Sequence, residues 1–255
     1  MSNTMNSATT TSVSVCIPAR NEAATVGELV AAVCAHPLAD EIIVLDHSST
    51  DDTAAIARDA GATVVSADDV LPEFGPALGK GDVLWRSVHV ANGDVIVWLD
   101  ADLQSYTDEY LTQLIEPLTD NDDVVLVRPD YPRTLHGAAS GGGRVTESTA
   151  KPALRSWHPH LSHIRQPLAG EYAIRREVAE SLPFEIDYGV EIGLLIDVAA
   201  TYGTESIAQV ELPARVHRNR PDEELLEPSR QVLRTALSRV GLMITHSRPP
   251  LKSVA

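Results

Sequence analysis

Five short apolar runs, alternating with stretches of helical pattern, constrain this chain more than any other feature. Residues 13–17, 42–45, 63–65, 95–99 and 124–127 carry Val, Ile and Leu with almost no polar alternation. Strands of that kind are buried on both faces, which is the condition of a parallel sheet covered by helices. Between the first two runs, Val26, Leu29, Val30 and Val33 fall at i, i+3, i+4 and i+7, one helix face that Pro37 ends. Val83, Leu84, Val88 and Ala91 mark a second helix, and residues 110–114 a third. Pro18 is expected to stop the first strand. Ser49-Thr50-Asp51-Asp52 offers hydroxyls for an N-cap and acids for a first helical turn, with Gly61 as its C-terminal stop. The pattern predicts an α/β fold with a mainly parallel central sheet flanked by helices.

The second half is less regular. From Leu135 the chain reads as a loop, and the glycines at 141–143 open a polar helix at about Arg144. An apolar helix is expected at about 190–200, a strand near 206–212 and an amphipathic helix over roughly 224–240. Without an internal repeat or a linker, residues 13–243 read as a single domain whose halves, 13–130 and 131–243, share one sheet. Residues 1–12 read as a flexible tail and 244–255 as a loose one. With 255 residues, 44% of them hydrophobic, the chain can bury a full-sized core. A net charge of −16 makes nucleic acid or an anionic membrane a poor partner. No apolar stretch approaches the ~20 residues of a membrane helix. The start lacks the basic and apolar regions of a signal peptide. Cys16 and Cys34 sit among apolar residues, without a disulfide framework. These features predict a cytoplasmic protein.

Open parallel sheets bind ligands beyond the carboxyl ends of their strands. Arg20-Asn21-Glu22, Asp46-His47 and Asp100-Ala101-Asp102 fall there. Two carboxylates one residue apart at the end of a buried strand suit Mg²⁺ or Mn²⁺ shared with a diphosphate, or simply a capped turn. Lys80, between Gly79 and Gly81, opens a helix where phosphate could meet backbone N–H groups and an ammonium. It is not a P-loop, because Gly rather than Ser or Thr follows the lysine and the glycine spacing is short. Nor do the later glycines make a dinucleotide fingerprint, since they follow no strand; with Arg144 and Thr146 they read either as an anion site or as a loop. Glu191 lies in an apolar helix, where a buried carboxylate marks a site about as often as it complements the helix dipole. His158, His160 and His163 read as solvated. His217, among Arg215, Arg218 and Arg220, suits an anionic ligand or pairing with the protein's own acids.

Several segments occur together and in order: Pro18 to Glu22, Leu45-Asp46 with residues 49–53, Gly79-Lys80-Gly81, Asp100-x-Asp102, residues 141–147, Gln166-Pro167-Leu168-x-Gly170-Glu171-Tyr172, residues 188–195 and residues 217–221. This series resembles the retaining glucosyl-3-phosphoglycerate synthases, glycosyltransferases of GT-A fold, over about residues 13–241. The resemblance implies transfer of glucose from a nucleoside diphosphate glucose to the hydroxyl of 3-phosphoglycerate, with Mg²⁺ or Mn²⁺ and as a homodimer. It implies a donor site of Pro18, Ala19, Arg20, Asn21, Glu22, His47, Lys80, Asp100 and Ala101, with Tyr188, Gly189, Val190 and Glu191 along the sugar. Glu191 is then the residue nearest a catalytic role. Asp102 and His217 would hold the metal, and Gly143, Arg144, Val145, Thr146 and Asn219 the acceptor. His47 and Ala101 stand where the family commonly has serine. Donor base and sugar stay open: a transferase using GDP-mannose or another small anionic acceptor, or a silent sugar-nucleotide binder, are the alternatives. Front-side attack is the expected route to retention, with a covalent intermediate on Glu191 as the other.

Overall fold

A computed structural model describes residues 11–132, 134–135, 138–141, 143–215, 222–243 and 246–254. The five apolar runs form β1 (Val13–Ala19), β2 (Glu41–Asp46), β3 (Thr63–Ser66), β4 (Val95–Trp98) and β5 (Leu126–Asp130). They alternate with α1 (Val26–Cys34), α2 (Thr53–Asp59), α3 (Lys80–Val90) and α4 (Asp108–Asp120). The region expected to be loop from Leu135 contains a short antiparallel pair, β6 (Thr134–Leu135) and β7 (Ala138–Gly141). A wide helical turn, Thr146–Ala150, then runs into α5 (Lys151–Trp157). Beyond it come β8 (Tyr172–Arg175), α6 (Arg176–Ser181), β9 (Phe184–Glu185), α7 (Val190–Tyr202), β10 (Ile207–Glu211), α8 (Leu226–Ser238) and β11 (Ser247–Arg248).

Seven strands form one sheet in the order β10-β5-β8-β4-β1-β2-β3. Every neighbouring pair is parallel except those of β8, which runs antiparallel between β4 and β5. The second half therefore contributes to the same sheet as the first, at β8 and β10. Side chains alternate between two buried layers. Ile96 and Trp98 of β4 join Trp85 of α3, Leu194 of α7 and Ala236 of α8 on one face, and Val95 and Val97 join Val30 of α1 and Leu114 of α4 on the other. Among the described residues, no helix is long and apolar enough to cross a membrane.

Two expectations need correction. Pro18 does not end β1, which runs on through it to pair Ala19 with Asp46 of β2. On its other side β1 pairs with β4 only as far as Cys16 and Trp98, and the Leu99 amide donates to the Cys16 carbonyl. The nitrogen of Pro18 lies on that same side two residues later, beyond the last pair, so its missing N–H costs the ladder nothing. The two strands part at this point, opening the carboxyl edge of the sheet. The tail is not loose over residues 246–254 either. β11 pairs with β9, the Trp85 indole donates to the Pro249 carbonyl at 2.9 Å, and Leu251 is buried.

Candidate active site

Where β1 and β4 part, a cleft of about 380 Å³ opens. Pro18, Ala19, Arg20 and Glu22 line it from the end of β1, His47 from the end of β2, and Leu78, Gly79, Lys80 and Val83 from the start of α3. Asp100, Ala101 and Asp102 close it after β4, and Tyr188 comes from the turn before α7. Ten expected donor and metal residues thus meet in one place although they come from five segments of the chain. Asn21 does not line the cleft. Its backbone takes the left-handed conformation at φ 55°, and its side-chain oxygen accepts the Thr50 amide at 2.8 Å. The residues after β2 hold the neighbouring loop: Ser49 accepts the Asn21 amide, Thr53 the Glu22 amide and Asp51 the Ala23 amide. The hydroxyls expected to cap α2 serve this loop instead, and Asp52 at the N-cap makes no side-chain capping bond. The His47 ring lies 3.0 Å, through Nε2, from the Ala77 carbonyl, which can only accept, so that nitrogen carries the proton.

The floor of the cleft is a charged network. Lys80 Nζ lies 2.7 Å from Asp100 and 2.7 Å from Glu191. Glu191 is itself buried and meets this ammonium from behind the cleft. Burial alone would depress the Lys80 pKa, but the Asp100 and Glu191 carboxylates outweigh it and hold the ammonium well above its ordinary value. Opposite, Arg215 Nη2 lies 2.7 Å from Asp100 and 3.3 Å from Asp102, while its Nε donates to Glu171 at 2.7 Å. Tyr131 donates its hydroxyl proton to the other Glu171 oxygen at 2.5 Å. Arg215 takes the second of the two readings its cluster allows, pairing with the protein's own acids, whereas Glu171 receives no role from the sequence. The signal was a Gly-Glu pair leading directly into the apolar residues 172–174, and an arginine two residues before His217. Gly170 lacks a side chain for a specific reason: a Cβ there would sit 2.1 Å from an Asp100 oxygen. Arg128 underlies the loop, buried, donating through Nη2 to the carbonyls of Gln166, Pro167 and Ala169 and lying 4.5 Å from the Tyr172 ring centre.

The donor set suits a hard divalent cation. Asp100, Asp102, Glu171 and Glu191 outnumber Lys80 and Arg215 by two formal charges within this network. Burial, then the neighbouring Asp100 carboxylate, push the Asp102 carboxyl above its usual range. A bound cation would relieve that pressure. Among the described residues no group of three or more His, Cys, Asp and Glu side chains is gathered to hold a metal alone. His217 and Asn219 lie outside the described residues. At the proposed acceptor corner, Gly143 adopts φ 72°, Thr146 is buried, and Arg144 and Val145 open the helical turn. Gly143, Arg144, Val145 and Thr146 do not line the cleft, and neither do Gly189, Val190 and Glu191.

Residues 14–168 match the model of glycosyl transferase family 2. The glucosyl-3-phosphoglycerate synthase of Mycolicibacterium smegmatis is 50% identical over 236 residues, covering 90% of this chain and 78% of that protein. The chain belongs to the glucosyl-3-phosphoglycerate synthase family. Members from more distant sources also align, including that of Petrotoga mobilis, 40% identical over 89% of this chain and 73% of its own length. A crystal structure of the Mycobacterium tuberculosis glucosyl-3-phosphoglycerate synthase with Mn²⁺, UDP and glucosyl-3-phosphoglycerate superposes with a TM-score of 0.89 at 41% identity, covering 96% of this chain and 92% of that one. Another structure of that protein holds Mn²⁺, UDP-glucose and phosphoglyceric acid, and a third holds Mg²⁺ and UDP. The GT-A architecture expected from the sequence is the one this family shares with the chain.

Proposed function

We propose that this chain transfers glucose from UDP-glucose to 3-phosphoglycerate with retention at the anomeric carbon. The observation that carries the reading is the Lys80 ammonium bridging Asp100 at the cleft and Glu191 behind it, both at 2.7 Å. It joins the diphosphate end of a donor site to the one buried acid of α7, in a chain half identical to a synthase of that name. The cleft segments from Pro18 to Glu22 and His47 take the nucleotide. Tyr188 lines the glucose side of the cleft, with Gly189, Val190 and Glu191 behind it. Gly143, Arg144, Val145, Thr146 and Asn219 hold the acceptor's phosphate and carboxylate. Asp102 and His217 would hold Mg²⁺ or Mn²⁺, which when bound supplies positive charge against the leaving diphosphate.

The ion pair also bears on the route. A carboxylate locked against an ammonium is a weak nucleophile, which favours Glu191 as the group that orients sugar and acceptor hydroxyls. The acceptor hydroxyl then attacks on the face the diphosphate leaves, its proton passing to the departing phosphate oxygen. The reading takes the enzyme as a cytoplasmic homodimer. Exposed Leu226, Leu233 and Val240, spaced every seven residues along and just past α8, supply an apolar row for pairing.

The test is steady-state kinetics across UDP- and GDP-sugars, with 3-phosphoglycerate and glycerate as acceptors, for the wild type and Arg144→Ala. A charge-assisted hydrogen bond contributes ~1.5–3 kcal/mol. Arg144→Ala should therefore raise the KM for 3-phosphoglycerate by tens of fold and leave that for UDP-glucose nearly unchanged, with glycerate a poor substrate for the wild type. Equal use of glycerate and 3-phosphoglycerate would reduce the glycine–arginine corner to a loop, and preference for GDP-mannose would reassign the donor.

A further inference from the structure

We propose that Arg248, in the C-terminal segment, is a positioning residue for the donor cleft, acting through Asp82 on the first turn of α3. The inference rests on the reading of that cleft as a nucleotide-sugar site. Asp82 is wholly buried and stands two residues after Lys80. Arg248 grips it with both arms, Nε to one oxygen at 2.8 Å and Nη2 to the other at 2.9 Å. The second oxygen also accepts the Leu78 amide at 3.0 Å, so one carboxylate fixes the backbone on both sides of Lys80. Leu78, Gly79, Lys80 and Val83 all line the cleft.

The clamp reaches further than a single ion pair. Nη2 of Arg248 donates to the Phe74 carbonyl at 3.1 Å, and its guanidinium carbon lies 5.5 Å from the Phe74 ring centre and 5.6 Å from that of Trp85. Beside it, Arg86 donates to the carbonyls of Ala67, Val70 and Gly75, and lies 3.4 Å from Asp82. The loop between β3 and α3 is thereby tied to the same carboxylate. On the opposite side, a Cβ at Gly81 would fall 1.8 Å from the Glu185 carbonyl and one at Gly79 2.6 Å from that of Ile186. The first turn of α3 is seated flush on the strand that β11 itself extends. Removing Arg248 would leave the buried Asp82 carboxylate with the Leu78 amide and, as its cation, only the long contact to Arg86, a state that movement of the turn carrying Lys80 would relieve. Lysine can replace the charge but not the two-armed grip.

The experiment compares full-length wild type, Arg248→Met and Arg248→Lys by UDP-glucose and 3-phosphoglycerate kinetics, UDP titration calorimetry and amide hydrogen exchange at residues 78–83. Loss of the paired charge-assisted bonds should weaken UDP binding and raise the UDP-glucose KM ~10-fold in Arg248→Met. Exchange at 78–83 should quicken, the acceptor KM should stay within about twofold, and Arg248→Lys should recover only part of the loss. An Arg248→Met protein with a lowered melting temperature but unchanged exchange and UDP affinity would overturn the proposal. So would equal losses toward both substrates. If the wild type bound no UDP, the donor reading and the positioning role would fall together, whereas unchanged exchange at 78–83 in a UDP-binding protein would sink the clamp alone.

Discussion

In the folded protein the Asp102 carboxyl is under electrostatic pressure that a cation would relieve. Its pKa is raised first by burial and then by Asp100, so the folded protein holds that proton more tightly than the unfolded chain does. Between the ordinary value and the raised one, stability then falls as pH rises, and above both the cost is fully present. In metal-free buffer, Asp102→Asn should therefore melt higher than the wild type at neutral pH, with the gap closing in acid, while turnover is lost. Scanning calorimetry at several pH values checks it; a gap that does not change with pH would mean that the carboxyl is not under electrostatic pressure. Lys80 illustrates what sequence cannot disclose at this scale. From sequence it reads as a lysine at a helix start where phosphate could meet its ammonium. Its role comes from Asp100 and Glu191, residues 20 and 111 positions further along the chain, brought within 2.7 Å by the sheet.

At the scale of elements, the Gly170–Glu171 turn and β8 bind the two halves of the site. A Cβ at 170 would lie 2.1 Å from Asp100, and inserting a methyl against fixed neighbours costs roughly 1–3 kcal/mol. Gly170→Ala is expected to lose stability of that order in urea unfolding and to lower kcat/KM at least ~10-fold, because Asp100 must swing from Lys80 and Arg215. Wild-type kinetics in this variant would show that Asp100 tolerates the shift. The strands β1 to β5 and the helices α1 and α7 were legible, because long apolar runs and i, i+3, i+4 spacing report burial directly. β8 was not: its apolar part is only Tyr172-Ala173-Ile174, between Glu171 and Arg175, and its place between β4 and β5 is set by partners distant in the chain. The C-terminal segment hides its contacts for a similar reason. Arg248 and Lys252 look like solvated charges until Asp82 and the Glu177 carbonyl are placed beside them.

For the whole molecule, β8 lies between β4 and β5 and β10 beyond β5, so residues 13–130 keep only β4-β1-β2-β3 as a continuous sheet and β5 has no partner among them. Residues 13–130 alone would expose the β4 edge and strip Trp98 of Tyr172 and Phe184, whose rings lie 4.9 and 6.2 Å from it. That fragment should show no cooperative thermal unfolding by circular dichroism and no UDP binding; a cooperative, UDP-binding fragment would contradict the account of one shared core. The same unity places Lys80 and Asp100 from the first half against Glu191, Glu171 and Arg215 from the second, a joint network that in the proposed function supports glucosyl transfer. A proton NMR time course of the full-length protein with UDP-glucose, 3-phosphoglycerate and Mn²⁺ at trace level, or Mg²⁺, tests it most directly. The predicted result is release of UDP with growth of an anomeric signal of the donor's own α configuration on 3-phosphoglycerate, abolished by chelation. A β-linked product, turnover indifferent to chelation, or no transfer to 3-phosphoglycerate at all would contradict it.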